Sequence, residues 1–384
     1  MKEELLWKNP GYKGHHSLKG EISCDVLVVG GGVAGVSLAY FLAKAKRDVV
    51  LIEKNLIASG ATGHAAGTLS MRGEADILEL LRHFGPKKGR AYWKTNQDGI
   101  RIINQMLSTE KIPCDYEPMD TLYGGYRHTT YNDVRAEYHA ERSIDSRAKL
   151  YEGKAVRTVL NTPLFSHALL SKGHGISVNP LACTQNLSVV AKKRGARIYE
   201  HTPLVHLHDF HAHTPQGAIT FKHIVFCMDK DPSQKDIKYL RTTLVATRKL
   251  TKAELKKTGF HDKNLLVFEP HENYHYFKRT KDGRLLVGFG GIFLRAKMPH
   301  AQPHPAHVRE LKSFLKRLFP YLDLRIDYAW SGDFGVGAHY HPHVHHGPTD
   351  SVIAGCGTQV ACVMAAKHIA DILCGKKKSH KFLG

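Results

Sequence analysis

The chain has 384 residues, 42% of them hydrophobic, enough for a sizeable buried core and too many for a disordered chain; with no Gly-X-Y period, collagen is excluded as well. Lysine and arginine number 55 against 35 acids, giving a formal charge of +20 spread along the chain rather than gathered into a block. Seven widely spaced cysteines (Cys24, Cys114, Cys183, Cys227, Cys356, Cys362, Cys374) with no C-x-x-C argue against a disulfide framework or a zinc ribbon, and for a reducing, cytoplasmic compartment.

Residues 1–20 are polar and contain no apolar h-region, so no secretory signal is expected. Residues 24–29 read as a buried strand, 33–45 as a helix packing through Ala34, Leu38, Phe41 and Leu42, and 49–52 as a second buried strand. The uncharged run 26–43 has the length of a membrane span, but Gly30, Gly31, Gly32 and Gly35 break it into strand, turn and helix, so no transmembrane segment is expected. Such a βαβ start predicts an α/β fold (α+β overall) with a parallel, doubly wound sheet. A small-residue loop follows at 58–70, helical spacing at 77–107, and a mixed region at 110–160. Asn179-Pro180 opens a helix over 181–193, which Gly195 ends before a strand at 197–199. Gln216-Gly217 predicts a turn and 224–226 another buried strand. The clearest hairpin pairs 274–278 with 284–289 through Asp282-Gly283. Helical spacing returns at 308–318, and a strand at 351–354 leads through Gly355, Cys356 and Gly357 into a helix at 359–373. Lys376-Lys377-Lys378 reads as a solvated tail.

Gly30-Gly31-Gly32-Val33-Ala34-Gly35 fits G-x-G-x-x-G after a strand and before a helix. Gly30, Gly32 and Gly35 serve the tight turn, close approach of backbone to a pyrophosphate, and helix–strand packing. The phosphates then meet the helix start at Val33 and Ala34, where unpaired N–H groups and the helix dipole favour negative charge. Glu53, 23 residues beyond Gly30 at the end of the second strand, is placed to hold ribose hydroxyls and to repel a ribose phosphate, which disfavours NADP. The adjoining Lys54 is a further candidate nucleotide contact.

Directly afterwards, Ser59-Gly60-Ala61-Thr62-Gly63-His64-Ala65-Ala66-Gly67 resembles the second FAD-contacting loop of the D-amino-acid oxidase superfamily. Val178-Asn179-Pro180 with its helix, and Tyr199-Glu200-His201-Thr202, are similar to a later stretch of that family, with Val205 beyond it as another expected contact. The segment from Tyr276 to Gly288 resembles the Y-F-R-x-T-x-D-G-R-L-L-x-G of the glutamylputrescine oxidase-like branch, and Trp330-Ser331-Gly332 before Pro342 fits its W-x-G…P element. The resemblance implies a Rossmann-like FAD-binding domain assembled from residues 20–82, 172–235 and 330–384. An antiparallel-sheet substrate domain would come from 83–171 and 236–329. It further implies FAD as cofactor and oxidation of the C–N bond of a small amine or amino acid. Hydride would pass from the carbon beside the nitrogen to flavin N5, the imine would hydrolyse, and oxygen or another acceptor would take the electrons.

Three features depart from the family pattern. In place of A-G-x-S-G-H-G, Gly355, Gly357, Thr358, Gln359 and Val360 are expected at the pyrimidine end of the flavin, with Val360 where the last glycine would stand. The preceding T-x-D-x-x-P-x-I-G has lost its Thr, its Asp and its final Gly, so substrate preferences do not carry over from relatives that keep it. His64 matches the W-H-A-A-G histidine of dimethylglycine and sarcosine dehydrogenases, which bonds to the flavin 8α-methyl group. Gly63 replaces the tryptophan here, and the other reading of His64 is a non-covalent contact.

On the predicted strand 274–278, Tyr274, Tyr276 and Lys278 share a face by period two. The phenols would pack the alkyl part of a carboxylate-bearing amine and Lys278 would pair with its acid; plain sheet packing is the alternative. No general base is expected, because a neutral amine can give up hydride unaided. The site need only lower the amine's pKa, for instance by desolvation. His339, His341, His343, His345 and His346 cluster within eight residues, but Pro342 interrupts them and no carboxylate or thiolate joins. A surface loop is expected there rather than a metal site.

Two other functions fit parts of the pattern. A tRNA-modifying flavoprotein would use the positive charge to hold RNA, although no RNA-binding module is visible. A non-catalytic flavin-binding protein would explain the altered C-terminal element, and the charge is also compatible with weak association with anionic membranes.

Overall fold

A computed structural model describes residues 1–72, 75–126, 130–228, 237–260, 262–270, 274–294, 302–337 and 342–377. The chain starts with β1 (Gly20–Val29), α1 (Val33–Lys44) and β2 (Val49–Ile52), then α2 (Ala61–His64), β3 (Thr68–Ser70) and the long α3 (Ile77–Thr109). Next come β4 (Glu117–Gly125), α4 (Tyr131–Arg142), β5 (Lys149–Glu152), β6 (His167–Ser177), α5 (Pro180–Lys193) and β7 (Arg197–Tyr199). Strands β8 (His206–His208), β9 (His211–Thr214), β10 (Gly217–Phe226) and β11 (Lys238–Thr247) lead to α6 (Lys252–Thr258). They are followed by β12 (Leu265–Phe268), β13 (His275–Arg279), β14 (Leu285–Leu294) and α7 (Pro305–Leu318). The last described elements are β15 (Ile326–Val336), β16 (His343–His346), β17 (Asp350–Ala354) and α8 (Gln359–Leu373).

The strands form two sheets. The first runs β16-β17-β10-β1-β2-β7 with a parallel centre, and β8 and β9 extend from β10. The second runs β15-β11-β14-β13-β12-β4-β6-β3, antiparallel except where β12 meets β4, with β5 on β6. The end of β1, residues 26–29, is buried on both faces, as its unbroken apolar run requires. Val26 and Val28 enter the core made by α1, α3, α5 and α8, while Leu27 and Val29 pack with Val50, Ile52, Ile219 and Phe221 on the other side. A separate core holds α7 against the second sheet through Leu311, Phe314, Leu315 and Leu318, which meet Val245, Phe277 and Val287.

Two element expectations need correcting. The helix at 77–107 is two helices, broken where Gly85 takes φ +75° before Pro86, which has no N–H to donate. The loop at 58–70 contains α2 and β3. Residues 82, 172 and 330, expected as limits of the two domains, lie within α3, β6 and β15. The run 26–43 is the end of β1, the glycine turn and α1, and no helix among the described residues is long and apolar enough to cross a membrane. All seven cysteines are free thiols. His339, His341 and Lys378 lie outside the described residues, whereas His343, His345 and His346 sit on β16, paired with β17. Among the described residues no group of His, Cys, Asp and Glu could hold a metal ion.

Candidate active site

The glycine turn is built for close packing. Gly30 has φ +112°, and a Cβ there would lie 2.4 Å from the Cys227 carbonyl oxygen; a Cβ on Gly35 would lie 1.9 Å from the Gly30 carbonyl oxygen. Gly32 caps α1 without a side chain, no acid occupies the first turn, and the Val33 N–H donates to Thr62 Oγ1 at 3.1 Å. Glu53 Oε2 accepts the Gly31 N–H at 2.7 Å and Oε1 accepts the Asn55 N–H at 2.9 Å, so this carboxylate braces the turn as well as facing the cavity.

A cavity of about 1870 Å³ opens in front of the turn. Gly30, Gly32, Val33, Ala34, Glu53 and Lys54 line it, as do Ser59, Gly60, Ala61, Thr62, His64, Ala65 and Ala66. Indole N–H groups pin that loop from behind: Trp330 Nε1 donates to the His64 carbonyl at 2.9 Å and Trp7 Nε1 to that of Ala65 at 2.8 Å. His64 Nδ1 lies 2.9 Å from the Gly60 carbonyl oxygen, which only accepts, so the proton sits on Nδ1. Burial pushes the His64 pKa down, which favours the neutral ring. Gly355 (φ +57°), Gly357 (φ +69°), Thr358 and Gln359 reach the same cavity at the start of α8.

Five expected contacts sit elsewhere. Val360 is buried on the inner face of α8, where the missing Cβ of Gly99 leaves room for it. Val205 is 67% exposed because its N–H pairs with the His213 carbonyl and fixes it at the sheet edge; Pro203 and Leu204 line the cavity instead. Gly35 and Gly67 are packing positions outside the cavity wall. Lys278 is fully buried behind the loop, with Nζ donating to the Gly67 carbonyl at 2.7 Å and to Ser177 Oγ at 2.8 Å. Burial lowers its pKa to about 7.

The second sheet and the helices α3 and α4 supply the rest of the wall. Tyr274 and Tyr276 line it, with Tyr276 Oη 3.3 Å from Thr242 Oγ1. Asp76, Glu79, Asp133, Glu137, Glu269 and Asp333 also line it, and among the described residues the guanidiniums in the lining are those of Arg72 and Arg82. Arg72, 3% exposed, donates to Asp76 at 3.0 Å, Glu137 at 2.7 Å and Glu141 at 2.5 Å, beneath the Tyr123 and Phe268 rings. Burial, and then the Asp76 charge, push the Glu137 carboxyl up to about 7. Sequence reasoning missed this wall. Its signal was the spacing of Asp133, Glu137 and Glu141, which puts three carboxylates on one helix face.

A family model described as FAD dependent oxidoreductase (DAO) matches residues 25–373. The chain belongs to this family. It is 28% identical over 335 residues to the gamma-glutamylputrescine oxidoreductase of Escherichia coli K12, covering 84% of this chain and 76% of that protein. It is 27% identical over 341 residues to the mitochondrial dimethylglycine dehydrogenase of Mus musculus, covering 79% of this chain and 35% of that longer protein. Glycine oxidase from Geobacillus kaustophilus has the same fold, with a TM-score of 0.77 at 17% identity over 94% of this chain and 96% of that one.

The residues present fit FAD. The cavity exceeds the roughly 300–1,000 Å³ of an ordinary small-molecule site. An α-helix start with no acid in its first turn and a glycine as N-cap faces it at Gly32, a setting that suits a pyrophosphate. The FAD dependent oxidoreductases are flavoproteins, and the chain presents their nucleotide turn at one end of this cavity and a second helix start, α8, on another wall.

Proposed function

We propose that this FAD dependent oxidoreductase oxidises the carbon–nitrogen bond of a small amine. FAD, when bound, supplies the two-electron acceptor for a hydride leaving the carbon beside the nitrogen. In this reading Gly30, Gly32, Val33, Ala34, Glu53, the lining residues of the 59–66 loop, and Thr358 and Gln359 hold the cofactor. Tyr274, Tyr276 and Thr242 wall the substrate. One observation carries the reading: a single cavity joins the glycine turn to a wall of aromatics and carboxylates. Six carboxylates on this side of the cavity, Glu137's pushed up to about 7, against two guanidiniums favour a cation even though the whole chain is strongly basic. With Lys278 turned away and Arg72 committed to three acids, an amine without a carboxylate is favoured over an amino acid. Relatives named for γ-glutamylputrescine and dimethylglycine support oxidation beside an amine nitrogen, although both named compounds also carry a carboxylate, so the preference for an amine without one rests on the wall alone.

The division of labour follows the two sheets, the first holding the nucleotide and the second shaping the substrate side. Oxygen or another acceptor takes the electrons on, in a cytoplasmic setting that suits seven free thiols. The covalent tether belongs here too: with its proton on Nδ1, His64 keeps a nucleophilic lone pair on Nε2.

Anaerobic bleaching of the yellow holoprotein by a panel of alkylamines, diamines, N-methyl amino acids and D-amino acids tests the reading. Alkylamines and diamines should bleach it fastest. Bleaching by no amine would leave a non-catalytic flavin binder, and salt-sensitive retention of RNA would favour the tRNA enzyme. Acid precipitation of the same protein should give a yellow pellet if His64 is bonded to the flavin; a colourless one removes the tether.

A further inference from the structure

We infer that Cys114 and Cys183 are a modification site, a thiol pair that hydrogen peroxide converts reversibly to a disulfide. The two residues are far apart in the sequence and meet where the segment between α3 and β4 crosses the first turns of α5. Hydrogen bonds fix that crossing on both sides of the pair. The Asn179 N–H donates to the Cys114 carbonyl at 2.7 Å, and Asn186 Nδ2 donates to the Pro113 carbonyl at 2.6 Å. Asn179, Cys183 and Asn186 follow at helical spacings of four and three, so they share the face of α5 turned to Pro113 and Cys114. There the Cys183 thiol donates to the Cys114 sulfur, which also accepts the Tyr116 N–H.

The pair divides the roles that such a reaction needs. Donation from Cys183, ahead of the opposing effect of burial, holds the Cys114 thiol below the usual cysteine range, while the same contact and then burial push Cys183 well above it. One sulfur is therefore poised to attack as thiolate, and its neighbour to resolve the product. Of the charges around Cys114, Asp115 opposes the thiolate and Lys281 favours it. Cys114 is only 4% exposed, but Pro113, Asp115 and Tyr116 beside it are exposed and Cys183 is partly so. The pair thus lies just below the surface, within reach of a small oxidant. Burial instead pushes the Cys24 thiol up to about 12 and raises that of Cys227, while Cys356 and Cys362 line the cavity proposed for FAD.

The Cys114 thiolate attacks one peroxide oxygen. An S–O bond forms, the O–O bond breaks, and the departing hydroxide leaves as water with the proton that Cys114 had shed. The Cys183 sulfur then attacks the Cys114 sulfur: an S–S bond forms, the S–O bond breaks, and the hydroxide released takes the Cys183 proton. Two thiols and one peroxide give one disulfide and two waters, the sulfurs losing the two electrons that the peroxide gains. A dithiol reductant reverses the step. Where oxygen accepts the electrons of the proposed oxidation, this same peroxide is the product. The bridge would tie the first turns of α5 to the chain before β4, beside the Val178 N–H bond to the Gly67 carbonyl that closes the 59–67 loop.

The test is a thiol map of the FAD-loaded protein before and after brief exposure to hydrogen peroxide at neutral pH, with no amine present. Alkylation and peptide mass spectrometry should find the Cys114 and Cys183 peptides joined with the loss of two hydrogens and the remaining thiols free. Dithiothreitol should then restore all seven. In C183S, where the serine hydroxyl keeps a donor beside the sulfur, oxidation should stop at a Cys114 sulfenic acid that dimedone traps. In C114S, Cys183 should react about tenfold more slowly than Cys114 does in the wild type. Seven free thiols after an exposure that oxidises glutathione in the same tube, or another cysteine oxidised first, overturns the proposal. So does a Cys183 that reacts in C114S as fast as wild-type Cys114. Should neither variant fold, the wild-type map decides alone. Failure of the amine reading leaves this result untouched, because no substrate enters the assay.

Discussion

A fully buried amine at position 278 makes stability depend on pH above neutrality. The unfolded chain protonates Lys278 below about pH 10.5, whereas the folded chain does so only below about 7, so the folded state loses ground as pH falls through that window and changes little below it. The span corresponds to on the order of 5 kcal/mol. In K278M that dependence should vanish, and the stability difference from wild type should move by about 1.4 kcal/mol for each pH unit between 7.5 and 9.5 in urea denaturation. A difference that stays constant with pH would mean that Lys278 is charged in the fold. The period-two alternation of this strand was legible, and Tyr274 and Tyr276 do face the cavity. Lys278 shares their face but lies further along β13, where Gly67 and Ser177 close over it; that closure is a tertiary contact across 211 and 101 residues of chain and has no local signature.

Among the elements, α4 is the one that most shapes the substrate wall. Its carboxylates Glu137 and Glu141 share a single guanidinium, Arg72, which comes from the segment between β3 and α3. R72A would leave two buried acids uncompensated and should cost about 3–5 kcal/mol, read as a lowered urea midpoint. R72A/E137Q should recover part of the loss, because one stranded charge is then gone. A wild-type midpoint in R72A would mean that the cluster is solvated. The nucleotide-binding start was readable because β1, the turn, α1 and β2 are consecutive and each has a local signal: β-branched residues, glycine spacing, helical period. The acid wall was not, since its members come from α3, α4, β15 and the end of β12, and only folding brings them together. The break in α3 was written in Gly85-Pro86, but helical spacing continues on both sides and hides it.

At the scale of the molecule, the cavity proposed to hold FAD is one that neither sheet completes alone. The cavity takes lining from both, so removing the cofactor should loosen both together. Reloading the stripped protein with FAD at 100 times its dissociation constant should add about 2.7 kcal/mol and raise the melting temperature with cofactor concentration. Circular dichroism and intrinsic tryptophan fluorescence should then report one coincident transition. Separate transitions, only one of them responsive to FAD, would show that the sheets melt independently.

The order of strands also governs how the chain matures on the ribosome. β1 lies between β2, which is translated almost at once, and β10, whose first residue is about 190 positions later. At roughly 5–20 residues per second the glycine turn waits some 10–40 s for that neighbour, and β17 must still dock on the far side of β10. Until then an apolar strand edge stands open, an invitation to mispairing that a nascent-chain chaperone would have to guard. The cavity itself is complete only once α8, whose start lines it, has been translated.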